Sequence, residues 1–572
     1  MARSESIEKQ LSLWKVAEDD GDEVQNRLFT AFAKLPKNLK TIALAVFDIN
    51  EKGLSNEDDD DDDDDEDRSD QKREAALKKQ RELHAQFDKL STGDRKKILS
   101  CVAPPIADHL EGAWQLLKSI PYFISYTRKA FRAPKHPEVT LEGRVQWLKE
   151  FASAVEDYQL SVISLSWLAQ WAQHAFSYSS DSVVPILISA MNEGGKEGDE
   201  VFDILYKTVT REHPIGVMGP HVIQSLLGSN REAGWEIMEK TLLAAQRQEG
   251  LRQSILQNAD LAHPQAFQRM LRLILDKDLI RFSSVARSIN GWLGLLWDSA
   301  SAKILTENVE AILGFLDSPS ERKKGLASSH AETVYRALWA YAYEDAPATI
   351  PVASKLLKHT SDEIRFVAAW VLLLIGLKQS SEARHTVIED PNLQIAMLAA
   401  VGTDGLKINS ELDEDINSDE DDNSFSSKDA FEKIERLYAR LPEKPIQLKA
   451  IVWPWTERKI ERSMVTNFLL QHLGDRPPTR MLPYLKSLDG WEQRSVIRLL
   501  AAQKKWDKLT RSTLFELAGH ASADVRESSF EALEKQTLDV SECELLEGYL
   551  TRQAADLRKG VIRLIMKSKD AQ

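Results

Sequence analysis

Leu545-Leu546-Glu547-Gly548-Tyr549-Leu550, followed by Asp556-Leu557-Arg558-Lys559-Gly560-Val561-Ile562-Arg563-Leu564-Ile565, is the stretch that decides the fold. Leu545, Leu546, Tyr549 and Leu550 fall on one face of a first helix. Val561, Ile562, Leu564 and Ile565 do the same for a second, which opens on an acid suited to the positive end of a helix dipole. The same pattern recurs upstream. Arg494, Arg526 and Arg558 are spaced 32 residues apart, and an acid stands two residues before each: Glu492, Asp524 and Asp556. Leu482, Leu514 and Leu546 stand twelve residues before the arginines, preceded in turn by Met481, Thr513 and Leu545. A fixed period in the thirties with two apolar helical patterns per period predicts an all-α solenoid of helical pairs.

One helical pair cannot bury its own apolar face, but stacked pairs share a continuous core. The arginine of one copy can reach the acid of the next, so Glu492 and Arg494, Asp524 and Arg526, and Asp556 and Arg558 are expected to form a ladder. Asp524-Val525-Arg526 and Asp556-Leu557-Arg558 resemble the start of the second helix in HEAT and armadillo repeats. Asp362-Glu363-Ile364-Arg365, followed by Ala368 and Ala369, is similar, which adds Asp362 and Arg365 to the expected ladder. Asp278-Leu279-Ile280-Arg281 is a looser match, and the first repeat departs from the pattern with Gln493 in place of valine. The resemblance implies an α-solenoid of HEAT-like helical pairs.

The chain has 572 residues, of which 42% are hydrophobic, enough for a large core. Fourteen tryptophans against 25 glycines favour a helix-rich, well-packed chain. The formal charge of -15 is concentrated in two places. Residues 57–67 hold eleven acids, including the unbroken run Asp58 to Asp65, and residues 411–422 hold eight. Without these nineteen acids the formal charge becomes +4, so the body is near neutral. Such runs repel themselves and are expected as disordered inserts. The expected organisation is a small helical unit at 1–54, an acidic linker at 55–70, a repeat body at 71–408, an acidic insert at 409–428 and C-terminal repeats at 429–572.

Two cysteines far apart, Cys101 and Cys543, exclude a disulfide framework and fit a reducing cytoplasm. Met1 to Asp20 is charged and lacks the apolar centre of a secretory signal. The longest apolar run, Ala368 to Leu377, reaches only about 15 Å as a helix, half of a bilayer core. No membrane segment is expected.

Basic residues gather twice. Residues 70–97 carry nine lysines and arginines against five acids, with an apolar stripe at Ala76, Leu83, Phe87 and Leu90. Arg128, Lys129, Arg132, Lys135 and His136 form the second cluster, without interleaved aromatics. Trp167 and Trp171, four apart in an apolar stretch, read as core. Residues 231–297 contain Arg231-Glu232-Ala233-Gly234-Trp235, Gln246-Arg247-Gln248-Glu249-Gly250-Leu251-Arg252 and Arg269-Met270-Leu271-Arg272. They resemble a large bacterial family of uncharacterised helical-repeat proteins, related to those called molybdate-metabolism regulators and sometimes carrying a WGR domain. Members of that family are longer and carry a further domain, whose activity does not transfer to these residues. Gln246 to Arg252 reads either as a hydrogen-bonded connector or as a binding surface.

No His-Glu-x-x-His, Cys-x-x-Cys, Gly-x-Ser-x-Gly or Gly-x-Gly-x-x-Gly occurs, and the twelve histidines are scattered. No catalytic, metal or cofactor residue is assigned. The expected function is a non-catalytic cytoplasmic scaffold that binds protein partners. The alternative is a nucleic-acid-associated protein using 70–97 and 128–136. A HEAT-like DNA glycosylase needs concentrated positive charge, which a near-neutral body does not supply.

Overall fold

The computed structural model describes residues 21–49, 66–119, 141–157, 164–172, 182–210, 219–259, 262–294, 300–375, 378–400, 430–447, 452, 459–460, 462–474, 476–503 and 505–569. These residues are all-α apart from one short antiparallel ladder, in which Ile446–Gln447 pairs with Lys459–Ile460. The chain divides into two compact units. One takes Met1–Ala327 with Arg336–Thr349, and the other takes Ser328–Tyr335 with Ile350–Gln572.

Within each unit helices pack mainly on near neighbours in the chain, the arrangement of a helical solenoid. In the first unit, Ala107–Ser119 packs on Val184–Glu193, which packs on both Gly195–Thr210 and Pro220–Gly228. Further on, Glu249–Gln257 packs on Ser283–Trp292, and Pro264–Asp276 on Ala302–Asp317. The helix starts have local causes. Ser91, Ser164, Ser301 and Ser318 accept a backbone N–H from the first turn that follows. Pro220, Pro264 and Pro319 stand in the first turn, where no backbone donor is needed. Trp171 is buried and Trp167 half-buried, their rings stacked at 6.3 Å.

The helix Glu66–Lys89 lies on Lys37–Val46. Phe87 is fully buried, edge-on to Trp114 at 5.0 Å. Leu83 and Leu90 are half-buried and Ala76 is exposed, so the expected stripe covers only the second half of this helix. The buried position that the stripe missed is His84, whose Nε2 lies 3.1 Å from the Ala45 carbonyl. Residues 57–65, 128–136, 409–428 and 453–455 lie outside the described residues.

In the second unit, Gly490–Ala501, Ala523–Leu533 and Ala555–Lys569 stack in that order. Lys508–Ala518 packs on the second of them and Val540–Tyr549 on the third. Asp489 and Asp539 each close a reciprocal capping box with Glu492 and Glu542. Three expectations change. The first helix of the first repeat, Pro478–Ser487, is a 3-10 helix containing Pro483, whose ring would clash in an α-helix with the carbonyl four residues earlier. Leu545 and Ile562 are 51% and 52% exposed, outside the core that holds Leu546, Val561 and Leu564. Asp278 to Arg281 does not open a helix. Asp278 is left-handed (φ 49°), a 3-10 turn follows, and the helix begins at Ser283.

Candidate functional site

The ladder is built around arginines that hold two things at once. The Arg526 guanidinium donates to the carbonyls of His520 at 2.7 Å and Ala521 at 2.6 Å. These lie just past the end of the preceding helix, where carbonyls lack helical partners. Its Nε reaches Asp556 of the next pair at 2.9 Å. The Arg526 hydrogen bond holds the Asp556 carboxyl below its usual range.

Arg365 repeats the arrangement. It donates to His359 O at 2.9 Å and Thr360 O at 3.2 Å, and grips Asp390 at 2.8 and 3.2 Å. Its own Asp362 joins at 2.7 Å and accepts from Asn392 at 2.9 Å. Hydrogen bonding by Asn392, then by Arg365, holds Asp362 low.

The other ladder residues behave differently. Arg494 makes no ion pair with Asp524, and its Nε is buried without a hydrogen-bond partner. Gln493 takes over the carbonyl role, with Nε2 donating to Leu485 O at 2.9 Å and Leu488 O at 3.1 Å. Glu492 belongs to its capping box and is buried, which pushes its carboxyl up to about 7. Arg558 donates only to Gln553 O, at 3.3 Å, among the described residues.

Sequence reading missed two partners of the arginines. In His359-Thr360-Ser361 and His520-Ala521-Ser522, Nδ1 of the histidine accepts the serine N–H at 3.0 and 3.1 Å. The signal was present: His-x-Ser stands six residues before both arginines. The first unit uses the same device. Arg95 donates to Asp88 O at 2.9 Å and Leu90 O at 2.5 Å, and grips Glu111 at 2.9 Å. Arg252 is buried, donates to Ala245 O and Gln246 O at 2.7 Å, and lies over Phe282. Within Gln246 to Arg252 the buried anchor is Arg252, while residues 246–250 are exposed. Nearby, His263 stacks on Trp235 at 5.0 Å, and Arg269 holds Glu239 at 2.9 and 3.1 Å.

The basic stretch 70–97 is partly neutralised within the fold. Arg95 pairs with Glu111, Lys96 with Asp108 and Lys97 with Asp94. Among the described residues no group of histidines, cysteines and acids could hold a metal ion. No described helix is long and apolar enough to cross a membrane. Eight large apolar side chains are exposed among the described residues. Leu77 apart, they are Trp491, Leu499, Leu509, Val540, Leu545, Ile562 and Met566. All seven lie on the C-terminal helices.

With this geometry in view, the sequence model of a family of unknown function (DUF5724) matches residues 46–572. The chain belongs to the DUF5724 family. The matched region takes in the ladder, residues 231–297 and most of both units. No link to molybdate-metabolism regulators accompanies it. No curated protein matches the chain. One similar solved structure is the crystal structure of an engineered protein, 13% identical over 84% of this chain and 99% of that one. Its TM-score of 0.17 carries no argument for this member of the family.

Proposed function

We propose that this DUF5724 member is a non-catalytic helical-repeat scaffold that binds protein partners. The observation that supports the reading is the concentration of exposed apolar side chains on the C-terminal helices. Trp491 is 69% exposed, Leu509 58% and Val540 64%. Large exposed apolar side chains concentrated on one set of helices are what a protein-contact surface would offer. The nucleic-acid alternative needs free positive charge, and Arg95, Lys96 and Lys97 are already engaged by acids.

The test is affinity capture of the tagged chain from its native lysate, with and without nuclease, beside Leu509→Asp and Val540→Asp. A defined protein should survive nuclease and fall at least tenfold in both variants. Loss on nuclease treatment, with the variants still binding, would move the function to nucleic acid.

A further inference from the structure

The helices on either side of residues 401–429 frame a cleft that the arginine ladder does not use. Leu393–Ala400 ends where those residues begin, Ala430–Arg440 starts where they end, and the two helices pack on each other. The cleft, about 390 Å³, lies between residues 388–391 and the second helix. Ile388 and Leu437, 2% and 1% exposed, form its floor, with Pro391 at one side. Lys433, Arg436 and Arg440 line the rest, on one face of the helix, against a single acid, Glu389.

These cations have capacity to spare. Arg436 turns Nε and Nη2 to one oxygen of Glu389, Oε1, at 2.9 and 2.5 Å. Arg440 gives Nη2 to the carbonyls of Asp390 and Pro391 at 2.6 and 3.1 Å. Lys433 is half-buried and pairs with no acid among the described residues. The other acids of this helix, Glu432 and Glu435, are held by Arg476 and Arg480. The cleft therefore has an apolar floor and a surplus of positive charge.

Residues 411–422 have the complementary composition: eight acids, no base, and two apolar residues, Leu412 and Ile416, set among them. The run is also within reach. Asp422 stands eight residues before Ala430, at most about 27 Å of extended chain, and Glu411 eleven after Ala400, at most about 37 Å. The helix that carries the three cations is only about 16 Å long.

We propose that the cleft takes residues 411–422 of this same chain, with carboxylates on Lys433, Arg436 and Arg440 and with Leu412 and Ile416 over Ile388 and Leu437. Tethering at both ends sets the run at an effective concentration on the order of millimolar, an advantage that an acidic segment of another molecule lacks. Charge brings run and cleft together, and the apolar pair fixes the register. The inference goes beyond the scaffold reading and does not depend on it, since no cleft residue belongs to the apolar surface at Leu509 and Val540.

The test uses the full native chain and a full chain in which each acid of 411–422 is replaced by its amide. The probe is a labelled peptide of residues 409–424. It should bind the neutralised chain saturably, and the native chain at least tenfold more weakly because the cleft is already filled. Lys433→Glu with Arg436→Gln in the neutralised chain should weaken binding at least tenfold, as should Leu412→Asp with Ile416→Asp in the peptide. A peptide of residues 56–67, which has eleven acids and no apolar residue, should bind at least fivefold more weakly than the first. No binding to the neutralised chain, equal binding to both chains, indifference to the substitutions, or parity of the two peptides would overturn the proposal. So would dimers of the native chain, in sedimentation, that neutralisation abolishes, since the run would then serve another copy. Far-UV circular dichroism of the chain variants should match the native chain, and the peptide substitutions decide the matter where a chain variant unfolds.

Discussion

Glu492 is a carboxyl kept out of water by the repeat that it starts. Burial pushes it up to about 7, while the Asp489 N–H that it accepts pulls the other way. A carboxyl raised on folding contributes stability fully below its usual range and loses that contribution as pH rises through its folded value. Glu492→Gln keeps an acceptor for the Asp489 N–H and cannot ionise. The variant should match the native chain at pH 5 and exceed it by roughly 1–3 kcal/mol at pH 8 in urea unfolding. Equal pH dependence of the two chains would refute the assignment. Sequence spacing placed Glu492, Arg494, Asp524, Arg526, Asp556 and Arg558 in one ladder, and among the described residues only Arg526 and Asp556 of these pair. What spacing could not convey was the burial of Glu492, or the transfer of the carbonyl contacts to Gln493. The carbonyl contact depends on where the preceding 3-10 helix, which carries Leu485, is placed in three dimensions.

Between elements, Gly560 and Phe530 set how closely two successive helices approach. Alanine raises helix propensity by about 1 kcal/mol over glycine. Against this, a Cβ at 560 would meet the Phe530 ring at 2.4–2.8 Å, in a site where the ring is buried. Overpacking of this kind costs roughly 1–3 kcal/mol, so Gly560→Ala should be net destabilising, measured as a lower urea midpoint. A midpoint raised by alanine would show that the ring yields freely. The helical pairs and their period were legible because apolar spacing and arginine recurrence are local in sequence. Which apolar residues face outward was not. Leu545 and Ile562 obey the helical period as well as Leu546 and Val561 do, and only the presence or absence of a neighbouring helix separates them.

At the scale of the molecule, the two compact units each carry arginines of the same type: Arg252 in the first and Arg526 in the second. Each is buried and holds two turn carbonyls. Truncation strands those carbonyls and should cost about 2–4 kcal/mol locally. Calorimetry should resolve two transitions. Arg252→Ala should lower one by several degrees and Arg526→Ala the other, with both effects retained in the double variant. A single transition moved by either change would contradict independent units. The all-helical class was legible from composition and period, whereas the division near residues 327–350 leaves no mark in composition, because helical pairs continue across it.

The carbonyl contacts also act as a ruler. At Arg365 and at Arg526 the guanidinium meets the residues six and five positions earlier, with a histidine at the first of them. Where His-x-Ser precedes the arginine the turn keeps that one length, whereas Arg95 and Arg252 reach carbonyls seven positions back. A single inserted residue between His520 and Arg526 would break this register. Across relatives of this chain, the turns in which His-x-Ser precedes the arginine should therefore keep their count even where other residues have changed.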